Sequence, residues 1–247
     1  MTVPARIERP FRIRFDECGP DGMARASTFL RYAQDVAWSH SEAAGFDREW
    51  YTRQGMTWLA RCVELKLRAH GRTGQPVTVS TEVVGWRRVW ARRESEVRDT
   101  ADGALIAAVR TDWVLLGPRG APVRLPPTIV AAFPGALPSF EPTRVPIGTT
   151  PVGAMTSALQ VRRQELDPLG HVNNAVYLDW LEESLAEAGA GTALEHLPRL
   201  VRLEYLRPAL PASSVNVAAW ARADGGWSCR MSDGAGQELL RGEVLAT

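Results

Sequence analysis

Asp167 to Glu183 reads D-P-L-G-H-V-N-N-A-V-Y-L-D-W-L-E-E, and this stretch decides the fold. Pro168 and Gly170 are turn formers, with Asp167 just ahead of them. Asn173 or Asn174 then caps a helix, because a short amide oxygen accepts the unpaired N–H groups of a first turn. From Ala175 onward Tyr177, Trp180, Leu181, Ser184, Leu185 and Ala188 recur at three- and four-residue steps. That stripe belongs to an amphipathic helix buried on one side. A carboxylate (Asp167), an imidazole (His171) and two amides therefore crowd against the positive end of a core-packed helix. Such an arrangement can hold a carbonyl and deliver a water to it.

The same design stands earlier in the chain. Gly19-Pro20-Asp21-Gly22 makes a turn, preceded by an alternating Arg12-Ile13-Arg14-Phe15, which reads as extended. A helix capped by Ser27 or Thr28 follows, with Phe29, Tyr32, Ala33, Val36, Ala37 and His40 on one face, and it ends near Gly45. Setting Gly22 on Gly170 places Phe29 on Tyr177, Leu30 on Leu178 and Tyr32 on Trp180. In a second frame, Val63, Leu65, Val77 and Val79 fall on Val201, Leu203, Val215 and Val217.

Strands are expected after each helix. In the first half they are Thr57–Arg68, Pro76–Val84, Trp86–Arg98 and Ala104–Leu116, with Asp102-Gly103 as a hairpin turn. In the second half Ala158–Glu165 precedes the turn, and Arg199–Leu206, Ser213–Arg222, Trp227–Ser232 and Glu238–Ala246 follow the helix. Between the halves, Pro118, Pro122, Pro126, Pro127, Pro134, Pro138, Pro142 and Pro146 argue for a surface linker, interrupted by a short helix near Pro127–Phe133. The expected organisation is two copies of one α+β unit. An N-terminal unit spans 1–133, a Pro-rich linker 134–155 and a C-terminal unit 156–247.

Composition narrows the function. An apolar share of 45% and a charged share of 23% describe an ordinary globular chain. A net charge of +1 gives no argument for nucleic acid or an anionic membrane. Arg87-Arg88 and Arg92-Arg93 read as solvated strand faces before they read as a docking patch for an acidic partner. Cys18, Cys62 and Cys229 are far apart and offer no zinc spacing, so no metal or other cofactor is expected, and the thiols suit a reducing cytoplasm. No apolar run is long enough to span a membrane. Nine Trp residues point to large buried apolar surfaces, in cores or in a pocket for a greasy ligand.

Taken together, these residues resemble the hotdog superfamily, in which a long helix is wrapped by a curved antiparallel sheet. The D-P-L-G-H-V-N-N run is similar to the signature of 4-hydroxybenzoyl-CoA-type thioesterases. The nearer resemblance is to the acyl-ACP thioesterases of plants and bacteria, which join two hotdogs in one chain. It covers I-R-F-D-E-C-G-P-D-G-M-A-R-A-S, A-Q-D-V-A-W-S-H-S-E-A-A-G-F and T-W-L-A-R-C-V-E-L-K-L-R in the first half. In the second it covers H-V-N-N-A-V-Y-L-D-W-L-E-E-S and V-R-L-E-Y-L-R-P.

The resemblance implies hydrolysis of a fatty acyl thioester, with the acyl chain buried in the first half and the chemistry in the second. Asp167 and His171 match the family's catalytic aspartate and histidine, and Asn173 and Asn174 match the amides that follow. The plant enzymes carry an asparagine where this chain has Leu169, and a glutamate and a cysteine where it has Pro208 and Ala209. A reduced mechanism centred on Asp167 is therefore expected. As general base or nucleophile it acts beside an oxyanion site at Asn174 and Ala175, with His171 orienting water or protonating the thiolate.

The alternative reading of the same residues is an Asx-type turn at Asp167 and a plain helix cap. Gly19 and Met23 stand where Asp167 and His171 stand, so the first unit is expected to form the pocket without catalysing. Glu204 reads first as an exposed strand carboxylate and second as a replacement for the missing glutamate. Trp58 is the aromatic singled out as a pocket liner, and His40 reads as a packing residue. The expected partner is the acyl carrier protein or coenzyme A thioester of a fatty acid, and the chain is a monomer that mimics a dimer, or a homodimer. Competing functions are an acyl-CoA or polyketide-carrier thioesterase and a non-catalytic acyl-binding protein. A hydratase fits poorly, because its Asp-to-His spacing is one residue longer.

Overall fold

A computed structural model describes residues 3–133 and 137–246. Pro134, one of the linker prolines, and the expected boundary at 133/134 lie outside the described residues. The chain divides into two compact units. One runs to Val63 and resumes over Ala69–Thr143; the other takes Glu64–Arg68 and everything from Arg144.

In the first unit, β1 (Arg6–Arg12) leads to α1 (Ala26–Ala43) and α2 (Arg48–Gln54). Then come β2 (Thr57–Leu67), β3 (Pro76–Arg87), β4 (Trp90–Asp99), β5 (Leu105–Leu116) and α3 (Pro127–Ala132). The strands lie in the order β1-β3-β4-β5-β2, and α1 packs against β1, β3, β4 and β5. In the second unit β6 (Met155–Gln160) precedes α4 (Asn174–Glu187) and α5 (Gly191–Glu195). After them come β7 (Arg199–Tyr205), β8 (Ser214–Ala221), β9 (Trp227–Asp233) and β10 (Glu238–Ala246). Their order is β6-β8-β9-β10-β7, and α4 packs against β8 and β9. Strand for strand this is the connectivity of the first unit, so the repeat read in the sequence is a repeat of topology.

The duplication extends to single hydrogen bonds. Gly22 and Gly170 both take the left-handed conformation, at φ 75° and 76°, and each donates its N–H three residues back, to Gly19 and Asp167. The Glu17 carboxylate accepts from the Arg14 N–H at 2.8 Å and from the Tyr32 hydroxyl. Glu165 accepts from the Arg162 N–H at 2.6 Å and from the Trp180 indole at 3.3 Å. Each long helix is thereby tied to the turn before it by an acid at the same place.

Four expectations are corrected. The first strand is Arg6–Arg12 rather than 12–15, because pairing with β3 runs from Arg6↔Glu82 to Arg12↔Pro76. Phe15 then starts a 3-10 turn and stands in solvent. Neither Ser27 nor Thr28 caps α1. Its N-cap is Arg25, without a side-chain cap, and the buried Thr28 hydroxyl donates to the Glu17 carbonyl at 3.1 Å. Nor are Arg92 and Arg93 of β4 a solvated pair. Arg92 is bidentate on the buried Asp112 at 2.6 and 2.8 Å and also reaches Thr143, while Arg93 turns to the opposite, helix-covered face. Finally, the strand expected at Ala158–Glu165 is Met155–Gln160, with Arg163–Glu165 in a 3-10 turn, and α5, a single short turn without an apolar stripe, has no counterpart in the sequence reading.

No helix among the described residues is long and apolar enough to cross a membrane.

Candidate active site

The turn between Leu166 and Val172, which face each other as an isolated bridge, builds the site. The Asp167 N–H donates to the His171 carbonyl at 2.8 Å, closing a tight loop around Gly170. The Asp167 carboxylate folds back over that loop. Its Oδ1 accepts from the Leu169 N–H at 2.8 Å and, at 3.4 Å, from the His171 N–H. Two main-chain donors thus fix the rotamer of the side chain. Among the described residues Oδ2 accepts no hydrogen bond, and the carboxylate is half-buried. The Asx turn and the chemical role are compatible, since one oxygen serves the turn and the other is left over.

Next to it α4 begins. Asn173 is the N-cap, and its Oδ1 accepts from the Ala175 N–H at 2.9 Å. Ala175, expected to donate to an oxyanion, is fully buried and its N–H is committed to that cap. The Val176 N–H goes to the Asn173 carbonyl. What remains is the N–H of Asn174, which at the first helical position has no acceptor within the helix. Asn174 is half-buried, and its carbonyl is held by the Tyr205 hydroxyl at 2.9 Å. The His171 side chain is half-buried too, and among the described residues no hydrogen bond reaches its ring. The structure therefore brings Asp167, His171, Asn173 and Asn174 together within one turn and one helix start.

Tyr177 was read only as part of the buried stripe, yet it belongs to the site's support. Its hydroxyl accepts from the Ala209 N–H at 2.7 Å, and the Ala209 carbonyl in turn accepts from the Val172 N–H. Burial pushes the Tyr177 phenol up to about 12; the Asp167 charge pushes the same way and the Ala209 N–H works against both. The segment after β7 is thus stitched to the turn by main chain and phenol, at the positions where Pro208 and Ala209 carry no acid or thiol. Only the helical period signalled Tyr177, and that signal spoke of packing.

Glu204 and Trp58 stand apart from this cluster. Glu204, on β7, is 2% exposed rather than an exposed strand carboxylate. Its oxygens accept from Arg144 Nη1 at 2.7 Å and the Val145 N–H at 3.0 Å, so both are occupied. Trp58 lies in the first unit, where its indole donates to the Tyr51 hydroxyl at 2.8 Å and its ring packs on a core that includes Phe46, Leu115 and Phe133. In the first unit's own turn Asp21, not a residue at position 19, accepts the local N–H, that of Met23 at 2.9 Å. No group of His, Cys, Asp and Glu side chains among the described residues could hold a metal ion.

Residues 4–132 match the family model of the acyl-ACP thioesterase N-terminal domain, and residues 151–246 match that of the C-terminal domain. Oleoyl-acyl carrier protein thioesterase 2 of Arabidopsis thaliana, a chloroplastic protein, is 23% identical over 216 residues, 80% of this chain and 58% of its own length. The chain thus spans little more than half the length of that relative. A Lactobacillus plantarum structure assigned as an oleoyl thioesterase superposes with a TM-score of 0.85 at 24% identity, covering 97% of this chain and 94% of that one. A 12:0-ACP thioesterase from Umbellularia californica gives 0.78 at 20% identity, covering 98% and 96%. Both cover the two units, so the fold is the double hotdog.

Proposed function

Because the chain belongs to the acyl-ACP thioesterase family, we propose that it hydrolyses a fatty acyl thioester to a free fatty acid and a thiol, at a site centred on Asp167. The observation that supports this most is the split use of the Asp167 carboxylate, with Oδ1 held by two N–H groups and Oδ2 left over among the described residues, in the turn that leads into α4. Oδ2 takes a proton from water as the water oxygen bonds to the thioester carbon. The carbonyl oxygen becomes an oxyanion and accepts from the Asn174 N–H at the positive end of the helix. The oxyanion then re-forms its carbonyl, the carbon–sulfur bond breaks, and the proton returns from Asp167 to the departing thiolate. His171 positions the water, and Asn173 keeps the helix start in place through its cap.

In this reading the unit of residues 1–133 holds the acyl chain and does no chemistry, 134–155 is a linker, and 156–247 carries the site. Trp58 contributes to the apolar first unit, and Glu204 fixes the 144–145 segment beside β7. The carrier is acyl carrier protein, which the family model supports, with coenzyme A as the competitor. The three buried, unbridged thiols support a reducing compartment such as the cytoplasm.

The test is release of free thiol from the ACP and CoA thioesters of one acyl chain, with Asp167→Asn in parallel. Removing a general base costs about 10²–10⁴ in rate. Wild-type turnover that survives in a folded Asp167→Asn would move the chemistry elsewhere, and no turnover on any thioester would remove the hydrolytic reading.

A further inference from the structure

The first unit holds a cation without an anion. Arg93 lies on the helix-covered face of β4, and among the described residues no carboxylate pairs with it. Positions 1, 2, 134–136 and 247, outside the description, contain no Asp or Glu. Its Nη1 hydrogen-bonds His40 Nδ1 at 3.0 Å, and its guanidinium lies 5.4 Å from the Phe133 ring centre. Burial pulls the guanidinium down to about 10, the direction expected where nothing compensates the charge. The contrast with Arg92 is sharp: one residue earlier, both oxygens of Asp112 and the Thr143 hydroxyl satisfy the same fork. Arg93 nevertheless keeps part of its surface accessible.

Two more donors share that face. Trp86 and Trp113 both lie opposite Ala91, two residues from Arg93, so all three side chains project to one side of the sheet. The indole N–H groups of Trp86 and Trp113 are buried and, among the described residues, find no acceptor. The Trp86 ring lies 5.7 Å from Phe133, as part of the apolar cluster that includes Leu115 and Ile129. Buried donors are nearly always satisfied, so three under-used ones on one face mark a place for an acceptor. A guanidinium fork and two indoles offer hydrogens and no lone pairs. Their complement is an anion that only accepts, and a planar carboxylate matches the fork. The apolar surroundings require that carboxylate to arrive on a hydrocarbon chain.

We propose that the Arg93, Trp86 and Trp113 face of the first unit binds the carboxylate at the end of an aliphatic chain. Two molecules present this group: an acyl thioester whose far end is carboxylated, and a free fatty acid. The first source rests on the hydrolytic reading above; the binding itself does not.

The full chain is titrated with decanoate and with methyl decanoate, which keeps the hydrocarbon and removes the charge, following tryptophan fluorescence and heat. Decanoate is expected to bind about tenfold or more tighter, the worth of one charge-assisted hydrogen bond. Arg93→Met abolishes the difference, and Trp86→Phe, which keeps a ring and drops the donor, reduces it. Thermal unfolding separates binding from support. Replacing an uncompensated buried cation by an apolar chain leaves Tm equal or higher if Arg93 serves a ligand. A lower Tm with an unchanged acid-to-ester ratio makes it structural and overturns the proposal, as do equal affinities in the wild type.

Hydrolysis distinguishes the sources. Preference for a 10-carboxydecanoyl over an undecanoyl thioester on one carrier assigns the site to a carboxylated substrate; competitive inhibition by decanoate without that preference assigns it to the fatty acid. A chain that binds decanoate through Arg93 but hydrolyses nothing keeps this site and removes the thioesterase reading. One that hydrolyses decanoyl thioester without telling acid from ester does the reverse.

Discussion

Lowering the pH from 7 to 4.5 should cost this protein stability through one residue, His40. It is wholly buried on α1, with Nε2 2.8 Å from the Pro4 carbonyl and Nδ1 3.0 Å from Arg93. Those partners fix the tautomer, because Pro4 can only accept and Arg93 can only donate. Nε2 therefore carries the hydrogen and Nδ1 the lone pair. A second proton on Nδ1 would face a guanidinium donor. Burial first, and the Arg93 charge second, push His40 down to about 4, against the raising pull of the Pro4 carbonyl. In the unfolded chain it titrates near 6.5. Between these values the unfolded state binds a proton that the folded state refuses, so stability falls as pH falls through 6.5 towards 4. Linkage with those two pKa values gives a loss of about 2.5 kcal/mol by pH 4.5. Against a typical total of about 5–15 kcal/mol that is a large share. Glu182, raised by burial, works in the opposite direction, so the wild type alone does not isolate the effect. His40→Gln does, since its amide can accept from Arg93 and donate to Pro4 while carrying no titration. Urea unfolding at pH 7, 6, 5 and 4.5 should show the wild type losing about 2–3 kcal/mol more than the variant. Parallel pH dependences for the two proteins would refute the assignment.

Three other outcomes follow from packing. A Cβ at Gly242 would stand 2.2 Å from the buried Leu181 Cδ1, so Gly242→Ala should lose about 1–3 kcal/mol in denaturant unfolding; an unchanged midpoint would mean that α4 sits further from β10 than described. Glu204→Gln weakens the hold on Arg144 and should cost about 1–2 kcal/mol with turnover retained. Lost turnover at full stability would instead give Glu204 a chemical role. Cys18, Cys62 and Cys229 are all buried, and burial pushes Cys229 up to about 12. Ellman's reagent should leave the native thiols unreacted for minutes and react with all three in urea, and fast native labelling would contradict their burial.

How far the sequence carried the fold and the site depended on what kind of interaction set each residue. Local chemistry was legible. The turn around Gly170, a cap at Asn173 or Asn174 and the stripe from Tyr177 to Leu185 are each fixed within a few residues, and the repeat made the turn and the stripe visible twice. Pairing partners were not. The register of β1 depends on β3, which lies about seventy residues on, so alternation at 12–15 pointed to the wrong strand. Alternation also separates two faces without saying which is covered. Arg92 and Arg93 therefore looked alike as a solvated pair, although one face of β4 holds Asp112 and the other lies under α1. At the site the same limit cut between neighbours. That a main-chain donor sits near Asn174 and Ala175 follows from the helix start, but which N–H is free follows from where one side chain rotates. Asn173 takes the hydrogen of Ala175 and leaves that of Asn174. Glu204 was ambiguous for a related reason. A carboxylate on a strand is exposed by default, and only the irregular segment at Arg144 and Val145, which has no periodicity to read, encloses it. The residues hardest to interpret are thus those whose partners come from far along the chain, and Arg93, with no acid partner among the described residues, is the extreme case. Its oddity appears only beside Arg92, whose carboxylate partner comes from the neighbouring strand, which is why the site proposed there had to come from the structure.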